Sequence, residues 1–252
     1  MSNGVWLELG GSSSPYDFYG GEVGFFGQYT AYAGLGWCGG HDYYSMTAAD
    51  DANYDTSQVF AMGSTPYYML AGPGIDGNYG SSTAAYNWGY NQAEWLLNHQ
   101  IPAIGLPDNS RIIWMDIEGD EGKGGSSYGW NSEGNSCGEQ TGGSPIPSSI
   151  DRQTFNGFYN AMSQAGYRVG AYSSATFWNF TFGGYGNIPN TLEWTYESQA
   201  QVNPAPSLAS WCTQGVCAQF FGGQSAGGPN ALVWQWSNSR TNGYYDYDVS
   251  AW

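Results

Sequence analysis

The chain has 252 residues, 21 of them acidic and five basic, and a net charge of −16. Arg111, Lys123, Arg152, Arg168 and Arg240 stand singly, so no basic patch exists to neutralise phosphates, which excludes nucleic acid and anionic membrane surfaces as partners. Apolar residues make up 41% of the chain, enough for a large core, yet no run of about 18 apolar residues is present to span a bilayer.

The length suits an α/β barrel folded as one domain over residues 1–252. Short segments rich in β-branched and aromatic residues, bounded by Gly, Pro, Asn or Ser, predict strands at 5–9, 24–32, 66–71, 111–118, 167–173, 192–196, 218–221 and 231–236. Eight is the number that closes a small barrel. Two helices are predicted. The first covers about 82–99, where Ala84, Ala85, Trp88, Trp95 and Leu96 recur at helical spacing ahead of Pro102. The second covers about 150–165, with an apolar stripe of Phe155, Phe158, Tyr159 and Met162, Ser149 as its cap, and Gly166 in the left-handed position past its end. A weaker helix is predicted over 56–62. Each long helix feeds a strand, which implies parallel strands with crossover helices. After about Tyr172 the helical pattern fades and strands dominate. The predicted fold is therefore an irregular, TIM-barrel-like α/β barrel with few helices and antiparallel last strands. Residues 119–148, rich in Gly, Ser and Asn, read as a long irregular loop inserted after the strand that carries the chemistry, forming one wall of a site.

That strand is Arg111-Ile-Ile-Trp-Met-Asp-Ile-Glu118. Side chains alternate along a strand, so Ile113, Met115 and Ile117 are expected to face covering helices, and Trp114, Asp116 and Glu118 the barrel interior. Asp116 and Glu118 then sit about 6.6 Å apart along the strand, on one face. Two carboxylates at the C-terminal end of a barrel strand are costly to desolvate together; one of them gains a raised pKa, which is what a general acid for glycosidic cleavage requires. The 12 Trp and 21 Tyr supply flat apolar faces with polar edges, suited to sugar rings. No cofactor signature is present. With two His and no C-x-x-C pair, a zinc site is not expected.

The cysteines are Cys38, Cys137, Cys212 and Cys217, which permit three connectivities. The short Cys212-Thr-Gln-Gly-Val-Cys217 loop predicts a local Cys212–Cys217 bridge, leaving Cys38–Cys137 to tie two long loops at the rim of the barrel; the alternative is four reduced, buried thiols. A surface built from Ser, Thr, Asn, Gln, Gly and Tyr suits a secreted, extracellular protein. The opening Met-Ser-Asn-Gly reads as a start placed on a mature chain, with any export segment left out.

Four segments in chain order resemble the glycoside hydrolase family 25 lysozymes and related glycoside-hydrolase-like barrels. Thr65-Pro-Tyr-Tyr-Met-Leu-Ala-Gly72 is similar to the third-strand segment, and Ile113-Trp-Met-Asp-Ile-Glu118 to the fourth-strand Asp-x-Glu segment. Gly166-Tyr-Arg-Val-Gly-Ala-Tyr-Ser-Ser174 is similar to the fifth strand. Leu232-Val-Trp-Gln-Trp-Ser237, followed by Tyr245-Asp-Tyr-Asp-Val249, is similar to the final Trp-Gln-aromatic strand and the closing Asp. The resemblance spans roughly residues 66–249. It implies Glu118 as proton donor to the leaving sugar oxygen, Asp116 as the carboxylate that orients or stabilises a participating N-acetyl group, and Asp246 as a further carboxylate. It implies Tyr68, Tyr172 and Trp234 as groove residues. Trp114, on the carboxylate face of its own strand, is a further candidate. The family carries an Asp on its first strand; Val5-Trp-Leu-Glu-Leu-Gly10 has only Glu8.

The expected activity is extracellular hydrolysis of a β-linked, N-acetylated glycan such as peptidoglycan, by a monomer without cofactor or metal. Two alternatives stand beside it. One is a catalytically degenerate barrel that binds glycan or self-associates as a structural protein. The other is a hydrolase of a neutral exopolysaccharide, with Asp116 or Asp246 as nucleophile or base.

Overall fold

The structure, a computed structural model, describes residues 5–9, 29–30, 37–38, 41–42, 67–74, 77–101, 112–117, 129–134, 140–186, 188, 191–196, 231–237 and 245–250. Its centre is an eight-stranded sheet. In spatial order the strands are β1 (Val5–Leu9), β12 (Tyr245–Ser250), β11 (Ala231–Ser237), β10 (Leu192–Tyr196), β9 (Arg168–Ser174), β6 (Ile112–Asp116), β5 (Tyr67–Met69) and β2 (Tyr29–Thr30). From β2 to β11 every ladder is parallel. β12 runs antiparallel to both of its neighbours, β11 and β1. Among the described residues no ladder joins β1 to β2, so the sheet is open there. The architecture is the expected TIM-barrel-like α/β arrangement, but of the strands after Tyr172, predicted to run antiparallel, β10 and β11 are parallel and only β12 is antiparallel. Two small antiparallel pairs lie outside it: β3 (Trp37–Cys38) with β4 (His41–Asp42), and β7 (Ser132–Gly134) with β8 (Gln140–Pro145).

Helix α1 (Ser82–Trp95) starts where Ser81 accepts the Ala84 N–H at 3.0 Å, satisfying a donor that has no partner within the helix. Its last turn, Leu96–Gln100, is a π-helix. Helix α2 (Ser148–Gln164) begins differently from the sequence expectation. Ser149 lies inside the helix and Pro147 occupies the cap position, with no side-chain cap bond. Proline's fixed φ, here −64°, and its extended ψ of 139° turn the chain into the helix, and the Ile150 N–H bonds the Pro147 carbonyl at 2.8 Å. Gly166 takes the left-handed conformation past the helix end, at φ 87°.

The two helices meet at glycine. A Cβ at Gly89 would lie 1.9 Å from the Thr154 carbonyl oxygen, and one at Gly157 would lie 2.0 Å from that of Tyr86. The Thr154 hydroxyl donates to the Ala85 carbonyl at 3.0 Å across this contact. Behind the sheet, Ile113, Met115, Ile117, Val169 and Ala171 pack against Phe155, Phe158, Met162 and Leu96 in one buried cluster. Burying each large apolar side chain of this layer contributes about 1.5–3 kcal/mol before ordering entropy is subtracted.

Several elements differ from the sequence expectation. Helix α3 (Ala175–Phe182), capped by Ser174 and ended by Gly183 at φ 60°, lies beyond Tyr172, where the sequence pattern predicts strands. Its buried face is Phe177, Trp178, Thr181 and Phe182. Strand β12 supplies an eighth strand in the region read only as a closing Asp segment. The 119–148 stretch contains the β7–β8 pair and is thus partly regular. The predicted strand at 218–221 and helix at 56–62 lie outside the described residues.

Candidate active site

The inward face of the sheet is built in layers by register. Trp114 pairs with Gly170, and Gly170 with Leu192. One layer further towards the strand C-termini, Asp116 pairs with Tyr172, Tyr172 with Trp194, and Trp194 with Val233. Above these, Ser174 pairs with Tyr196 and Tyr196 with Gln235. Trp114, Leu192, Trp194 and Val233 form a compact cluster beneath the carboxylate layer, with Tyr172 packed against it. Trp114 and Trp194 meet edge to face at 5.6 Å.

Asp116 is 4% exposed, at the end of β6 and facing this interior. Its backbone is held on both sides: the Leu70 N–H bonds its carbonyl at 2.9 Å, and the next N–H, of Ile117, bonds the Tyr172 carbonyl at 2.9 Å. Tyr172 is half-buried beside it, with its ring centroid 5.0 Å from that of Trp194. The Tyr172 hydroxyl donates to the Gln235 Oε1.

The other predicted site residues divide. Trp114 is fully buried and forms the floor two residues before Asp116. Tyr68 is also fully buried, but on the opposite side of the sheet, stacked on Phe158 at 5.2 Å within the helix-facing cluster. Trp234 is buried on β11 between Val233 and Gln235, both of which face inward, so alternation sends it to the outer face. Asp246 lies on β12, where the backbone register sets it opposite Glu8 of β1. Glu118, Cys137, Cys212 and Cys217 lie outside the described residues, as does the side chain of Cys38, so neither the expected proton donor nor the expected cysteine pairing is described. Gln235 and Trp194 were not singled out from the sequence. The usable signal for Gln235 was one amide in an otherwise apolar and aromatic strand, where a polar group demands a buried partner.

One wall of this end is fixed by the segment after β6. Trp130 is fully buried and its indole N–H donates to the Leu70 carbonyl at 3.1 Å. The Gly74 N–H bonds the Gly129 carbonyl at 2.8 Å. The approach is so close that a Cβ at Gly74 would fall 2.1 Å from the Ser132 carbonyl oxygen. The receiving turn is itself clamped from α1: Gln92 both accepts the Ala71 N–H at 2.9 Å and donates to the Ala71 carbonyl at 3.0 Å. Asn131, at φ 62°, donates through its side chain to Thr181 at 2.9 Å, and its backbone N–H donates to Asp151 at 3.4 Å. Burial pushes the Asp151 carboxyl up to about 8, only partly offset by the Asn131 N–H bond.

The parallel strands, the antiparallel closing strand and the buried acid at a strand C-terminus define a barrel-type α/β fold. Solved structures share it. A family GH25 lysozyme from Aspergillus fumigatus matches with a TM-score of 0.57 and 14% identity, over 100% of this chain and 95% of that one. A muramidase from Acremonium alcalophilum matches with a TM-score of 0.57 and 13% identity, over 99% and 94%. A bacterial lysozyme from Streptomyces coelicolor matches with a TM-score of 0.53 and 16% identity, over 98% and 91%. In fold, the chain resembles the GH25 lysozymes and muramidases along nearly its whole length. No protein-family model matches the sequence, and no curated protein does.

Proposed function

We propose that this protein is an extracellular glycoside hydrolase that cleaves a β-linked, N-acetylated glycan of the peptidoglycan type. The observation that carries the reading is Asp116, buried on the inward face at the C-terminal end of β6, in a fold shared with lysozymes and muramidases. Glu118, two residues on, is the proton donor to the departing sugar oxygen. The acetamido oxygen of the substrate attacks the anomeric carbon as that bond breaks, and Asp116 orients and stabilises the acetamido group. Asp246 is the further carboxylate. Tyr172 lines the groove, while Trp114, Tyr68 and Trp234 support it from the positions described above. The protein acts as a secreted monomer, and no cofactor or metal takes part.

The test is Glu118→Gln, which keeps the shape and removes the transferable proton. Peptidoglycan turnover, read as release of soluble fragments by mass spectrometry, is expected to fall by roughly 100-fold or more, with folding and glycan binding retained. Full activity in this variant rules out the assignment.

A second reading is favoured by the first strand, which carries Glu8 rather than Asp at the position opposite Asp246. In it the barrel binds glycan without cleaving it. Binding with no product across about pH 3–8 selects this reading.

A further inference from the structure

The hydrogen bond between Tyr172 and Gln235 joins two strands that are not neighbours in the sheet. Tyr172 is on β9 and Gln235 on β11, with β10 between them. By register, Tyr172 belongs to the layer of Asp116 and Trp194, whereas Gln235 belongs to the layer above, opposite Tyr196. The Tyr172 side chain therefore leans both across the sheet and towards the strand C-termini, passing edge-on over Trp194 with ring centroids 5.0 Å apart and an interplanar angle of 64°. Its base is next to Asp116, and its tip is held by an amide that is 2% exposed. A half-buried phenol that crosses the mouth of a barrel beside a buried carboxylate is placed to be the floor on which a ligand rests.

We propose that Gln235 is a positioning residue for this site: by accepting the Tyr172 hydroxyl proton it holds the Tyr172 ring across the mouth of the barrel, as a platform for a sugar ring beside Asp116. A phenol has one proton. With that proton committed to Gln235, what Tyr172 presents to a ligand is the face of its ring, which suits the C–H face of a sugar. Gln235 touches no reacting atom and acts through Tyr172. The inference rests on the glycan reading above and adds a positioning residue to it.

The experiment is a double-mutant cycle on the full chain: wild type, Gln235→Met, Tyr172→Phe and the double variant. Affinity for an N-acetylglucosamine tetramer is measured by calorimetry, with thermal melting alongside. Gln235→Met keeps side-chain length and removes the acceptor; Tyr172→Phe removes only the hydroxyl. Each single variant is expected to weaken binding by roughly tenfold, and the double variant to be no weaker than the weaker single, because both remove the same interaction. On peptidoglycan fragments the loss should fall on KM, with kcat within about twofold, since the platform serves ground state and transition state alike. A merely structural Gln235 would instead lower the melting temperature and the active fraction, leaving KM unchanged. Wild-type affinity in Gln235→Met, or additive losses in the double variant, overturns the proposal. If Gln235→Met does not fold, Tyr172→Phe decides, and wild-type affinity there overturns it equally. A wild-type chain that binds no such oligomer defeats the glycan reading itself, an outcome distinct from the others.

Discussion

A Cβ placed on Gly170 would stand 2.2 Å from the ring of Trp114, its cross-strand neighbour in the layer directly below Asp116. No side chain fits between the indole and β9, and the indole is fully enclosed, with Trp194 against it. Gly170→Ala is therefore expected to destabilise the fold by about 1–3 kcal/mol, the usual consequence of overpacking a closed core. Urea unfolding checks this through a lowered midpoint at unchanged slope. Because Trp114 is two residues from Asp116 on one face, the proposed function also expects this variant to lose more activity than its folded fraction accounts for.

Asp151 makes stability depend on pH. Burial pushes its folded carboxyl up to about 8, from an ordinary value of 3.8. Between those values the folded chain keeps a proton that the unfolded chain has lost. Its contribution to stability is thus fully present below about pH 4, is lost as pH rises, and falls no further above about pH 8. The slope within that window approaches about 1.4 kcal/mol per pH unit at its steepest. Asp151→Asn retains an acceptor for the Asn131 N–H and carries no charge. It should match the wild type near pH 4 and exceed it by a few kcal/mol, as an order of magnitude, near pH 8. Chemical denaturation at several pH values reads the difference; parallel curves for the two chains would refute the assignment.

Trp130 anchors the segment after β6 through one hydrogen bond and a buried ring, packed edge to face on Phe182 at 5.4 Å. Trp130→Phe keeps most of the ring and leaves the Leu70 carbonyl without its donor, for an expected loss of about 1–3 kcal/mol. The loss should appear first as local opening. Limited proteolysis is expected to cut within residues 119–148 faster than in the wild type, at denaturant concentrations where the sheet is still folded.

The four cysteines are proposed to pair as Cys38–Cys137 and Cys212–Cys217. Peptide mapping without reduction should recover those two linked peptides. A peptide joining Cys38 to either Cys212 or Cys217, or four free thiols, contradicts the pairing. Reduction should loosen the wall carried by residues 119–148 before the sheet unfolds, because a bridge acts mainly by restricting the loop it closes.

Much of the frame was readable from residue order. Val5–Leu9 and Leu192–Tyr196 have the predicted bounds, and the Ile–Met–Ile alternation of β6 set Ile113, Met115 and Ile117 against the helices, with Asp116 inward. Periodicity suffices there because one face is aliphatic and the other is not. Helix α3 escaped because Ala175–Phe182 is apolar on nearly every side, so no stripe marks a helix against a strand. The two faces of β5 and β11 were beyond reach for a related reason. Around Tyr68 the flanking residues are apolar or aromatic on both sides, and around Trp234 the nearest are apolar or aromatic apart from Gln235; a strand that is buried on both faces carries no clear alternation to read. Which parity points inward is then decided by hydrogen-bonded register with the neighbouring strand, and a shift of one residue exchanges the faces. Register put Tyr68 on Phe158, sent Trp234 outward, and brought Gln235 to the hydroxyl of Tyr172, which is 63 residues away in the chain. Composition and alternation determined that a buried carboxylate would stand at the end of a barrel strand; only the pairing of distant strands decided which side chains surround it.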